Sequence, residues 1–180
     1  MRIAVNGTNT GTNQAFIGID PGKSGAIAVF RPRVGRLDIF DMPTLDVVRN
    51  GKTKTELSAS MLANQLSDFQ HLQPIPKVVM ERVGAMPGQG VTSMFAFGRS
   101  VGIVEGVLAA YCYPVTIVPP KLWQSACQMR DGKDGARARA MELFPAYASL
   151  FKLKKHDGRA DAALMAWYGA TVLDRSGSPA

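Results

Sequence analysis

Cysteine is scarce in these 180 residues: Cys112 and Cys127 are the whole supply. Two thiols cannot build a disulfide framework, and their separation is not that of metal ligands, so both read as reduced thiols. There is no charged-then-apolar leader and no long uncharged apolar run. The sequence therefore reads as that of a soluble, cytoplasmic protein. No P-loop is present, and no serine or cysteine nucleophile motif. Acids are also in the minority, 14 against 21 lysines and arginines, for a net charge of +7 and a pI near 9.7. That excess favours a polyanionic partner. Nucleic acid ranks ahead of an anionic membrane, because no amphipathic Lys/Arg helix stands out. With 46% hydrophobic and 19% charged residues, the balance is that of a folded protein. The length suits one domain, placed at 15–174, with 1–14 and 175–180 as flexible termini.

The chain is organised around Phe16-Ile17-Gly18-Ile19-Asp20-Pro21-Gly22-Lys23-Ser24-Gly25-Ala26-Ile27-Ala28-Val29. Two apolar runs flank a Gly/Pro turn, which predicts a hairpin with a carboxylate at the end of its first strand. Leu37–Met42 alternates and reads as a third antiparallel strand. Residues 43–54 read as irregular, with a turn at Asn50-Gly51. Thr55 is placed as the cap of a helix running to about His71, with Leu57, Met61, Leu62 and Leu66 on one face. Lys77–Glu81 reads as a short buried strand, again ending on a carboxylate. After a Gly/Pro-rich loop, a long helix is expected from about Thr92 to Tyr111. Its glycines at 98, 102 and 106 line one side and cost roughly 1 kcal/mol each against alanine. A close backbone approach offsets that cost, either packing on the sheet or a helix–helix dimer contact. Val115–Val118 is the next strand. A short helical segment holding Trp123, a helix at 134–143 and a last helix at 158–173 complete the chain. The whole predicts an α/β mixed sheet of about five strands flanked by helices.

Asp20 and Glu81 both stand where a strand gives way to a loop, a favoured place for ligand sites in α/β folds. Asp157 and Asp161 are four apart at the start of the last helix and share a face. Two like charges there repel, although the helix N-terminus favours them. One such acid is commonly a cap or a solvated residue. Four of them, three beside apolar runs at element ends, point to a metal centre. An oxygen-only cluster suits Mg²⁺ or Mn²⁺, and two such ions can clamp the attacking and leaving oxygens of a phosphoryl displacement.

Gly18-Ile19-Asp20-Pro21-Gly22, Val78-Val79-Met80-Glu81-Arg82 and Asp157-Gly158-Arg159-Ala160-Asp161-Ala162 together resemble the RuvC-like Holliday junction resolvases. So do Pro87-Gly88-Gln89-Gly90-Val91 and the Glu-Gly-Val-Leu-Ala-Ala helix after it. The Lys-Leu-Lys-Lys run before Gly-Arg-Ala is most similar to the phage and chloroplast branches. The resemblance spans about residues 15–172 and implies a ribonuclease H-like fold. It also implies a homodimeric, metal-dependent endonuclease that cuts four-way DNA junctions symmetrically. Asp20, Glu81 and Asp161 map onto metal-binding acids of that family. The fourth acid stands three residues before the last in bacterial members, here Gly158, and four before it in the chloroplast-like branch, which gives Asp157. His156 beside it is either a helper that positions water or phosphate, or an exposed helix-entry residue.

Basic residues crowd the last third of the chain: Lys121, Arg130, Lys133, Arg137, Arg139, Lys152, Lys154, Lys155 and Arg159. Near a nuclease site such residues neutralise phosphate and set register. The expected DNA-contact set is Met86, Gln89, Arg99, Lys121, Lys154, Lys155 and Arg159. An apolar wedge between unstacked bases would come from Met86 or Phe95. Two alternatives stay open, a ribonuclease H-like nuclease on structured RNA or hybrid, and a catalytically idle binder of branched DNA.

Overall fold

Short apolar strands build the sheet, and alternation along them decides which helix covers which face. The computed structural model describes residues 13–49, 51–84, 88, 90–130, 132 and 134–174. Phe16–Ile19 (β1) and Ala26–Arg31 (β2) pair antiparallel, with Phe16 opposite Phe30. Arg36–Asp41 (β3) continues the meander. Thr44–Arg49 (β4) and Lys52–Leu57 (β5) then form a separate two-stranded hairpin. Ala59–Ser67 (α1) leads to Lys77–Glu81 (β6), which runs parallel to β1. Val91–Ala110 (α2) crosses to Val115–Val118 (β7), parallel to β6. Pro120–Ala126 (α3), Gly135–Leu143 (α4) and Asp157–Tyr168 (α5) follow, and a π-helical turn over Gly169–Leu173 extends α5. The main sheet has the order β3-β2-β1-β6-β7, the five-stranded mixed sheet expected.

On one face Ile17, Ile19, Val78 and Met80 pack with Leu62, Leu66, Val104 and Leu108 of α1 and α2. On the other, Phe16, Val79 and Val118 pack with Trp123, Phe144 and the alanine-rich α5. Gly18 sets how close α5 comes. A Cβ there would stand 2.0 Å from the Ala162 carbonyl oxygen, so helix backbone lies directly on the central strand.

Three expectations change, and one of two open alternatives falls away. Residues 43–54 are mostly ordered strand, and Thr55 and Leu57 belong to β5. The first helix starts later, capped by Ser58, whose Oγ accepts the Met61 N–H at 3.4 Å, and it ends at Ser67. Gln14 belongs to the fold rather than to a loose arm: it is buried, and its Nε2 donates to the carbonyls of Ala15 and Ile75 at 2.9 Å each. Gly98, Gly102 and Gly106 do not face the sheet. A Cβ at any of them would meet nothing within 4 Å. Residues 1–12 and 175–180 lie outside the described residues, as does Asn50 of the expected turn.

Candidate active site

Three strands of the main sheet, β1, β6 and β7, run parallel, and β3 shares their direction because it is two antiparallel steps from β1. Their C-terminal ends therefore share one edge. The β1–β6 register pairs Ile19 with Met80, so Asp20 and Glu81 follow side by side on strands roughly 4.8 Å apart. Ile19 and Met80 point to the α1–α2 face, so alternation turns both acids to the α5 face. Asp161 comes to meet them from the second turn of α5.

The turn after β1 is closed by backbone bonds, Asp20 N–H to the Ala26 carbonyl at 3.0 Å and Gly25 N–H to the Gly22 carbonyl at 2.9 Å. Two glycines make room for the Asp20 carboxylate. A Cβ at Gly25 would stand 2.8 Å from Asp20 Cγ, and one at Gly158 would stand 3.0 Å from Asp20 Oδ2. Asp20 is thus sandwiched between its own turn and the first turn of α5. Its Oδ1 accepts the Gly22 N–H at 3.3 Å. Burial still raises its pKa above the ordinary carboxylate value, with that amide opposing. Glu81 is also shifted up, by burial first and then by Asp20, while the Trp123 indole opposes. Trp123 is fully buried, and its Nε1–H donates to Glu81 Oε2 at 2.9 Å. Asp161 takes no hydrogen bond or ion pair among the described residues. Burial, then the charges of Asp20, Glu81 and Asp157, push it up to about 7.

Asp157 differs from the other three. It is half exposed, and its Oδ1 accepts Arg137 Nε at 2.7 Å. Arg137 is itself buried and also bonds the Lys152 carbonyl at 3.2 Å and the Asp134 carboxylate. His156 is buried rather than an exposed helix-entry residue, with Nδ1 accepting the Leu153 N–H at 3.3 Å.

The residues expected at DNA divide. Lys121, Lys154 and Lys155 are exposed. Arg159 is engaged by Asp41, bidentate at 2.5 and 2.6 Å, and holds α5 to the end of β3. Arg99 pairs with Glu56 at 2.5 Å and ties α2 to the hairpin. Phe95 is 75% exposed at the start of α2. Met86 and Gln89 lie outside the described residues. Sequence reasoning misses Trp123 as the partner of Glu81 and Arg137 as the partner of Asp157. The first has a signal, a tryptophan three residues after the Pro119-Pro120 pair that follows the strand next to β6.

No family model matches the chain. Thermus thermophilus RuvC, solved in complex with a Holliday junction substrate, superposes with a TM-score of 0.53 at 15% identity, covering 92% of this chain and 98% of that one. The chain has the RuvC fold. A further RuvC structure from Thermus thermophilus gives a TM-score of 0.48 at 14% identity over 86% of this chain and 95% of that one. In sequence, 93 residues, 50% of this chain, are 32% identical to the chloroplastic Holliday junction resolvase MOC1 of Chlamydomonas reinhardtii. The match spans 10% of that longer protein. The mixed sheet with helices on both faces is thus the ribonuclease H-like architecture the sequence implied.

The donor set fits a hard divalent cation. Asp20, Glu81 and Asp161 offer only oxygen ligands, and burial together with the neighbouring carboxylates disfavours the bare charge on Asp161. In their present rotamers no three such groups among the described residues converge on one ligand point. The Trp123 indole holds Glu81 Oε2, and Oε1 takes no hydrogen bond among the described residues.

Proposed function

We propose that this protein is a structure-selective, divalent-metal-dependent endonuclease that acts on four-way DNA junctions as a homodimer, using Mg²⁺ or Mn²⁺. The observation that carries this reading is the meeting of Asp20, Glu81 and Asp161 at one strand edge on a RuvC fold. A junction-bound RuvC and the stretch shared with MOC1 support the choice of substrate.

Asp20, Glu81 and Asp161 would hold the cations, with Asp157 at the rim as a fourth acid. The ions would supply charge neutralisation at the scissile phosphate and a more acidic water. The chain does the positioning. The Gly25–Gly158 cradle fixes Asp20, the Trp123 indole fixes one oxygen of Glu81, and Arg137 restrains Asp157. Lys121, Lys154 and Lys155 would provide positive potential for the backbone on either side of the cut, while Arg159 and Arg99, paired with Asp41 and Glu56, add little net charge.

A second copy is the occupant we assign to the open side of α2. The helix is long and apolar enough to cross a membrane. Yet Arg99 and Glu105 interrupt it, and Val104 and Leu108 are buried on the sheet. Gly98, Gly102 and Gly106 allow close backbone approach of another helix, and two sites in one dimer would make paired nicks possible.

The test is incubation of the purified protein with Mg²⁺ and labelled four-way junction, plain duplex and RNA/DNA hybrid. Paired, symmetric nicks confined to the junction support the reading. Cleavage of the hybrid alone refutes it.

A further inference from the structure

The β4–β5 hairpin is the element for which the fold itself has least use. Only its base joins the core, through buried Leu57 and the neighbouring Met42. It springs from the catalytic edge. Met42 N–H bonds the carbonyl of Gly25 at 3.0 Å, the same glycine that makes room for Asp20, and Ser58 N–H bonds the carbonyl of Pro43 at 2.9 Å. Near its base, Glu56 is pinned to Arg99 of α2. These ties give the hairpin a fixed relation to the acids.

Charge is segregated along it. Both acids stand in the basal half and both are occupied: Asp46 accepts the Thr55 hydroxyl at 2.8 Å, and Glu56 holds Arg99. From Val47 to Thr55 the sequence carries Arg49, Lys52 and Lys54 and no acid. Lys52, Thr53 and Lys54 are exposed, Val48 is 70% exposed, and neither lysine has a carboxylate partner among the described residues. A strand pair tied at its base and cationic towards its end, whose exposed large apolar residues Leu45 and Val48 alternate to opposite faces, suits a polyanion better than an apolar protein surface.

We propose that the β4–β5 hairpin is a second DNA-binding arm, which grips the phosphate backbone of a junction arm at a distance from the cut. This rests on the nuclease reading above and adds to it a contact and its reach. Six strand residues span about 20 Å. At about 3.4 Å per base pair, the tip meets phosphates roughly six positions from the scissile one.

The experiment measures junction affinity against salt for the wild type and for the Lys52→Ala/Lys54→Ala variant, whose changes are confined to exposed positions. Each is tested on an unmodified junction and on one with neutral methylphosphonates about five to seven positions from the cut. Two lost contacts flatten the log–log slope by about 1.8, so between about 50 and 200 mM salt the wild type loses about tenfold more affinity than the variant. The neutral phosphates should reproduce that flattening in the wild type and add little to the variant. An unchanged slope in the variant overturns the proposal, as does a methylphosphonate effect that adds in full to the variant's. If the wild type binds and cuts junctions while the variant behaves identically, only the arm is refuted. A wild type that binds no junction overturns both readings.

Discussion

Replacing Asp161 with asparagine removes a charge that the fold holds at a cost. Burial and the neighbouring carboxylates raise this group from 3.8 to about 7. A raised carboxyl binds its proton more tightly in the folded state than in the unfolded chain. Its contribution to stability is complete below the unfolded value near 3.8, declines as pH rises, and is gone once pH has passed through about 7. Each pH step of one between those two values is worth about 1.4 kcal/mol, so the loss at pH 7 comes to about 4 kcal/mol. Asp161→Asn escapes this loss. In a protein of this size 1 kcal/mol moves Tm by about 2–4 °C, so the metal-free variant should melt about 10 °C above wild type at pH 7. At pH 4, where wild-type Asp161 is still largely protonated, the gap should shrink to a degree or two, worth under about 1 kcal/mol. Mg²⁺ at about 100 times its Kd would return about 2.7 kcal/mol to the wild type and far less to the variant. Thermal melts in chelator at pH 4, 5.5, 7 and 8, repeated with Mg²⁺, provide the assay. A variant that melts at or below wild type at pH 7, or above it by the same margin at every pH, refutes the reasoning.

Other substitutions separate the tasks of the site. Asp20→Asn and Glu81→Gln should each lower cleavage by roughly a hundredfold or more while junction binding in a gel shift persists; parallel loss of binding would remove these acids from their roles. Lys154→Ala with Lys155→Ala should flatten the salt slope by about one unit per lost phosphate contact, and an unchanged slope would return both to the solvated surface. Trp123→Phe keeps an aromatic ring but removes the donor to Glu81. It should raise the Mg²⁺ concentration at half-maximal effect by about tenfold in both melting and cleavage, whereas a lower Tm with the same midpoint would show packing alone. Gly102→Glu places a charge where a Cβ meets nothing within the chain. It should turn dimer into monomer in sedimentation without lowering the monomer's stability.

The sheet and its acids are legible because each signal is local. β1 and β6 are apolar runs that end abruptly on Asp20 and Glu81, and no other pattern in the chain does this twice. The β4–β5 hairpin is hidden because strands are recognised by an apolar face, and Lys-Thr-Lys-Thr-Glu alternates between charge and threonine. Asn50-Gly51 is the better guide, since that pair favours two-residue hairpin turns. Leu57 looks like the first apolar position of a helix, but it is the buried base of β5, and Ser58 supplies the cap. Among the cations, sequence shows charge but not partners. Arg159 and Arg99 engage Asp41 and Glu56, 118 and 43 residues away, and those pairings exist only in the fold. The glycines of α2 are legible as a stripe, and only the packing of Val104 and Leu108 shows which way it faces.

Gly18 has no acid, donor or charge to offer, yet it gauges the site. Asp20 belongs to the sheet and Asp161 to the helix lying on it, so the gap between them is the gap between two layers. That gap is set where the missing Cβ of Gly18 admits the Ala162 carbonyl and the Ala166 amide, which would stand 2.0 and 2.6 Å from it. Gly169 repeats the arrangement further along, where a Cβ would come within 2.9 Å of Val79 and 3.1 Å of Phe16. The spacing on which divalent-ion chemistry would depend is thus held by the smallest residues in the core, and an added methyl group at position 18 would alter it while leaving every one of the carboxylates in the chain.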